Sequence, residues 1–168
     1  KKYSIVKYDK YQDLDDFDNL KACKFVFIMV PTPFDCATGK VDDSAIVDSL
    51  TKLEKINFKN IVVIKSTVPP GSCNRYLKFF NLKIAFNPEF LRESTTPNED
   101  FENQDTIVIG TKSNQIFEKV KDMYKGVSVS DARYFHTQLS EAEMIKCSQN
   151  TMLASRVALA NMIYDACI

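Results

Sequence analysis

Two glutamates four residues apart, Glu89 and Glu93, stand in the eight-residue stretch N-P-E-F-L-R-E-S, residues 87–94. Asn87 is a good helix N-cap, and Pro88 suits the first helical position. The stretch therefore predicts a helical turn that puts both carboxylates on one face. It follows a short apolar run, 83–86 (KIAF), which reads as a buried strand. Carboxylates at the C-terminal end of a strand sit where open α/β sheets bind ligands. A carboxylate placed there can activate water. Acids in a first helical turn also simply suit the helix dipole, so these residues alone leave both readings open.

Other residues with chemical potential follow other strand-like runs. Lys24–Val30 (KFVFIMV) is nearly continuous and apolar, and it stops at Pro31-Thr32-Pro33. Ile61–Ile64 (IVVI) runs into Ser66-Thr67-Val68-Pro69-Pro70-Gly71. Tyr3–Tyr8 (YSIVKY) reads as a strand ending at Asp9. Strands of this kind suit a parallel sheet covered on both faces. Right-handed crossovers would gather all the strand ends on one edge. Asp9, Val30 to Pro33, Ser66 to Gly71 and Asn87 to Glu93 would then line one crevice with backbone amides, hydroxyls and carboxylates. A carboxylate at the end of the second strand of a dinucleotide fold accepts hydrogen bonds from the adenosine ribose and disfavours a 2′-phosphate. Asp9 in that place points to NAD rather than NADP. No G-x-G-x-x-G precedes it, and the turn with its helix would need about 20 residues.

The elements that must position these groups alternate. A helix over residues 42–56, capped by Asp42 or Asp43, carries Ile46, Val47, Leu50 and Leu53 on one stripe. A short helix is expected over 74–80, a loop around Gly39, and another over 95–105. Strand 106–109 ends at Gly110. A helix over 113–124 has Ile116, Val120 and Tyr124 spaced by four, and one more short strand falls within 127–135. The last helix opens on a capping box, Ser140 with Glu143, flanked by Leu139 and Met144 as a hydrophobic staple. It runs to Cys167 without proline or glycine and is apolar on several faces. Such a helix is expected to be buried, by this chain, by a further domain or by a second subunit. Lys146 and Asn150 share one of its faces, and a lysine on an apolar surface is costly unless it meets a polar site.

Composition excludes several classes. With 22 basic and 22 acidic side chains in 168 residues the formal net charge is zero, which argues against a nucleic-acid partner. Hydrophobic residues make up 45% and charged residues 26%, as in soluble globular proteins. No apolar run approaches the roughly 18 residues needed to span a bilayer. The five cysteines are scattered, with no C-x-x-C spacing, so reduced cytoplasmic thiols are expected rather than disulfides or a zinc site. His136 is the one histidine, and a structural or solvated place is expected for it.

V-P-T-P, S-T-V-P-P-G, N-P-E-F-L-R-E-S and E-A-E-M-I-K-C-S-Q-N occur here in the order found in the UDP-glucose/GDP-mannose 6-dehydrogenases, and the chain resembles that family from about Asp9 to its end. The resemblance implies a Rossmann-like α/β domain over residues 1–136, without its glycine-rich first unit, and the start of a central linking helix over 137–168. It implies oxidation of the C6 alcohol of a nucleotide sugar such as UDP-glucose to the acid, with two NAD molecules used in turn. Thr67 matches the threonine near the nicotinamide and catalytic water, and Thr32 that of the cofactor loop, beside Val30, Pro31 and Ser66. Glu93 matches the glutamate of acid–base work in thioester hydrolysis, and Glu89 one nearer the cofactor. Lys146 and Asn150 match the pair that steadies negative charge on the reacting oxygen. The family's catalytic cysteine lies in a later G-x-C-x-P-K-D segment that this chain does not reach, and neither Cys147 nor Cys167 is expected to replace it. Asn161-Met162 also departs from the usual Asn-Glu. A homodimer through the last helix is expected. The alternatives are a β-hydroxyacid dehydrogenase, which shares the Lys-x-x-x-Asn pair but not N-P-E-F-L-R-E-S, and a shortened module that only binds a nucleotide or a partner.

Overall fold

In the computed structural model, which describes residues 3–90 and 97–168, five strands form one sheet. Strand β1 (Phe25–Ile28) is followed by a two-stranded hairpin, β2 (Phe34–Asp35) and β3 (Lys40–Val41). Then come helix α1 (Ser44–Lys55), β4 (Ile61–Ile64), α2 (Ser72–Phe79) and β5 (Lys83–Phe86). The chain continues through α3 (Pro97–Glu102), β6 (Thr106–Gly110), α4 (Asn114–Tyr124), β7 (Arg133–Thr137) and α5 (Leu139–Cys167). The sheet order is β1-β4-β5-β6-β7.

All four residues of β4 are buried, as a central strand covered on both faces requires. Successive side chains of a strand point to opposite faces, and the core divides accordingly. Val62, Ile64, Ile84 and Phe86 pack with Ile46, Leu50 and Leu53 of α1, Tyr76 of α2, and Leu139 and Ala142 of α5. On the other face Ile61, Val63, Ala85, Ile107 and Ile109 meet Phe117, Val120 and Tyr124 of α4. Val47, expected on the α1 stripe, lies exposed at its flank.

Several expectations are corrected. Residues 3–8 form no strand. The backbone groups of Lys7 that a ladder would use are taken by Asp15, whose carboxylate accepts from Lys7 N at 2.7 Å and whose N–H donates to Lys7 O at 3.0 Å. The loop around Gly39 is a hairpin, closed by the Asp35 carboxylate on Ala37 N and Thr38 Oγ1, with Gly39 at φ 66°. Within 95–105 lies α3, whose first residue, Pro97, stands where proline is preorganised for a helix. The sheet is not uniformly parallel. β1, β4 and β5 are parallel neighbours and so are β6 and β7, but β5 meets β6 antiparallel through a single bridge, Phe86 to Gly110. A side chain reinforces that thin join, as Asn87 Nδ2 donates to Val108 O at 2.8 Å. The common C-terminal edge therefore belongs to β1, β4 and β5.

Helix α5 begins two residues earlier than its expected box. Gln138 is the N-cap and Glu141 its reciprocal partner. Met144 is 52% exposed and staples nothing, whereas Leu139 is buried. The first turns of α5 press on the sheet at Gly110, where a Cβ would lie 2.7 Å from Ala142 Cβ and 3.1 Å from Gln138 O. We expect Gly110→Ala to cost about 1–3 kcal/mol through this overpacking; a urea midpoint unchanged from the parent would contradict the close approach. From Ser148 onward every residue of α5 is exposed, so the apolar helix is not buried by the described part of this chain. No described helix is long and apolar enough to cross a membrane.

Candidate active site

The loops after β1 and β4 are tied into one wall. Ser66 Oγ accepts from Val30 N at 2.8 Å and donates to Val30 O at 2.7 Å. Thr32 Oγ1 donates to Thr67 O at 2.7 Å. Prolines 31, 33, 69 and 70 hold φ near one value, so the sequence stiffens what the hydroxyls join. Pro31 is exposed, while Val30, Thr32 and Thr67 are half-buried.

The next strand end differs from expectation. Asn87 does not cap a helix, and Asn87–Phe90 is not helical. Its side chain is turned into the core. Besides donating to Val108, its Oδ1 accepts from Lys65 Nζ at 3.0 Å and from the Tyr124 hydroxyl in a short contact. A buried amide must satisfy both its ends, and these partners take precedence over a cap. Glu93 lies outside the described residues, so its expected place beside Glu89 is not part of the structure's account. Glu89 pairs with Lys65, Oε2 to Nζ, at 2.9 Å. The Lys65 side chain is only 9% exposed, and its ammonium also meets Tyr124 Oη at 3.4 Å. Its three donors thus have three oxygens. Burial pushes the Tyr124 hydroxyl's pKa up, against the pull of Lys65.

Helix α5 reaches this place by its first turns. Glu143 is fully buried, and its carboxylate accepts from Gly71 N at 2.5 Å and Cys73 N at 2.7 Å. An anion on these N–H groups suits the positive N-terminus of α2. Cys147 Sγ donates to Val68 O at 3.5 Å. The S-T-V-P-P-G loop is therefore fastened to α5 on both sides of Lys146, by Glu143 one turn before it and by Cys147 next to it. Lys146 is half-buried, with Nζ 5.7 Å from the centre of the Phe90 ring, a favourable cation–π distance. Burial lowers its pKa below the usual lysine value; Glu89 and Cys147 oppose the shift, and Lys65 adds to it. Asn150, one turn on, is exposed. Burial raises the pKa of both Cys73 and Cys147, and Glu143 adds to each.

Asp9 follows no strand. Its carboxylate accepts from Tyr11 N at 2.8 Å in a local turn, and a ribose contact no longer follows from its position in a sheet. His136 stacks on Phe117, rings 4.4 Å apart, and its Nε2 lies 3.0 Å from Thr111 O. Among the described residues no group of three or more His, Cys, Asp or Glu could hold a metal. Sequence reasoning did not single out Lys65, Tyr124 or the inward turn of Glu143. A lysine directly after four buried residues of β4 was the available signal for the first.

The fold and its edge of tied loops are those of a dinucleotide-binding α/β domain. Residues 5–128 match the model of the NAD binding domain of the UDP-glucose/GDP-mannose dehydrogenase family, and the chain belongs to that family. It is 38% identical over 159 residues to a UDP-glucose 6-dehydrogenase of Rickettsia typhi, covering 91% of this chain and 36% of that protein. A UDP-glucose dehydrogenase structure from Pyrobaculum islandicum superimposes with a TM-score of 0.75 at 31% identity, over 87% of this chain and 36% of the other. A ternary complex of GDP-mannose dehydrogenase from Pseudomonas aeruginosa gives a TM-score of 0.76 at 28% identity, with 87% and 36% covered. The chain thus spans little more than a third of the relatives it matches. NAD is the cofactor the family model implies. The donor set suits such an anionic guest, for the described charges around Glu89 are two ammoniums against one carboxylate.

Proposed function

We propose that this chain supplies the cofactor wall and the charge-stabilising lysine of an NAD-dependent nucleotide-sugar 6-dehydrogenase, which oxidises the C6 alcohol of UDP-glucose or a similar sugar to the acid. One observation carries the reading. Lys146, on a helix fastened by Glu143 and Cys147 to the Thr67–Gly71 loop, is desolvated over Phe90 and stands in the field of Glu89. A fixed ammonium in a poorly hydrated place is what an oxygen gathering negative charge requires.

When bound, NAD takes up the hydride lost from C6 in each oxidation. The chain's own residues orient and neutralise. Val30, Pro31 and Thr32, tied to Ser66 and Thr67, wall the cofactor's side of the crevice. Asp9 is assigned to the ribose, Glu89 to the cofactor's edge, and Thr67 to holding a water. Lys146 and Asn150 meet the reacting oxygen, and Glu93 takes the proton when water adds at the acyl carbon. Residues 137–168 begin the linking helix. A homodimer over the apolar surface of α5 beyond Ser148, and cytoplasmic residence with five free thiols, belong to the same reading.

The stoichiometry tests it. The complete polypeptide carrying this chain should form two NADH for each uronic acid made from UDP-glucose. One NADH per sugar would indicate the single-hydride chemistry of β-hydroxyacid dehydrogenases. NAD binding with no turnover of UDP-glucose or GDP-mannose would indicate a binding module.

A further inference from the structure

Lys65 has an arrangement that the proposed chemistry leaves unused. Its ammonium is nearly sealed from solvent and held by Asn87 Oδ1, Tyr124 Oη and Glu89 Oε2. Glu89 pairs with this lysine and also acts through space on Lys146, which rests on the ring of the adjacent Phe90. One carboxylate cannot neutralise the charge of two ammoniums. Its 2.9 Å pair with Lys65 fixes the choice, because Asn87 and Tyr124 hold Lys65 in place from the other side. Asn87 is itself anchored on Val108, so the holder is rigid.

We propose that Lys65 is a positioning residue: by occupying Glu89 it leaves the charge of Lys146 uncompensated for the reacting oxygen. This rests on the role given to Lys146 above. Among the described residues here the ammoniums outnumber the carboxylate by one, so Lys146 keeps a charge that Glu89 does not neutralise. Without Lys65 the described groups are one ammonium and one carboxylate. Glu89, partly exposed and already interacting with Lys146, would turn to it. An ammonium paired with a carboxylate offers much less to an oxyanion, since the two fields oppose. Among the described residues, the groups that bear on Lys146 are Glu89 after β5, Lys65 after β4, and Cys147 on its own helix. Removing Lys65 takes away a neighbour that lowers the lysine's pKa and frees one that raises it.

The test is made in the complete polypeptide with UDP-glucose and NAD. Lys65→Met should lower kcat about tenfold or more and move the basic limb of the rate profile to higher pH. Lys65→Arg, which keeps the charge, should recover most of the rate. Lys65→Met combined with Glu89→Gln restores the single positive charge and leaves a neutral pair in the buried place. It should turn over faster than Lys65→Met and return the basic limb towards the parent. The double variant also reads the proposal if Lys65→Met alone does not fold. A parent-like kcat in Lys65→Met, or a double variant as slow as Lys146→Ala, overturns the inference. Lys146→Ala with parent turnover would instead overturn the reading of Lys146 itself.

Discussion

Lys146→Ala is expected to lower turnover by about 10²–10³-fold while NAD affinity changes by no more than about twofold. The reason is differential binding. An interaction that strengthens only as charge develops raises kcat, whereas one equal in both states changes KM alone. Lys146 is placed for the former, since its stem leaves water on the first turns of α5 and its head stays in the field of Glu89. The pH dependence has a definite sign. Burial lowers its pKa, so the protonated, useful form is lost at a lower pH than for an ordinary lysine. The rate should therefore fall as pH rises through that lowered value, and Lys146→Ala should remove this basic limb. Steady-state rates across alkaline pH, with NAD binding by fluorescence, check both parts. Equal losses in turnover and NAD affinity would contradict the oxyanion role.

Glu143→Ala should be the most destabilising change near the site, costing about 3 kcal/mol or more. Glu143 has no exposed surface, and it is the acceptor for two backbone N–H groups at the start of α2. Truncation leaves both donors buried without that partner, each at about 1–3 kcal/mol, and removes an anion from a helix N-terminus. Glu143→Gln should lose less, because its amide oxygen still accepts from one of the two. Urea midpoints order the three proteins. A change below about 0.5 kcal/mol for the alanine variant would show that this carboxylate does not join α5 to α2.

Ser66 illustrates how far a motif can be read without coordinates. It is expected in the cofactor loop, and both bonding roles of its hydroxyl are taken by the backbone of Val30. The segment still serves the site by rigidity. The opening stretch at Asn87 shows the opposite limit. Asn-Pro-Glu is a sound local signal for a helix start. The signal loses to a buried lysine, a phenol and a strand carbonyl that all need the same amide.

The sequence by itself determined the α/β class, the four apolar strands β1, β4, β5 and β6, the helices α1, α2, α4 and α5, and the motifs that mark the family, although β1, at the end of the sheet order, is only half-covered and Met29 is exposed. These follow from patterns only a few residues long, where burial and hydrogen bonding act on neighbours. Tertiary structure decided which of two capping patterns opens α5. Ser140 with Glu143 satisfies the local rule and Gln138 with Glu141 does not, yet Glu143 is claimed by N–H groups 70 and 72 residues away and the box forms at Gln138. It also decided that residues 3–8 stay out of the sheet, that β6 meets β5 antiparallel, and that Lys65 rather than Lys146 holds Glu89. A buried polar group takes whichever partner the packing brings to it, and no local spacing encodes that choice.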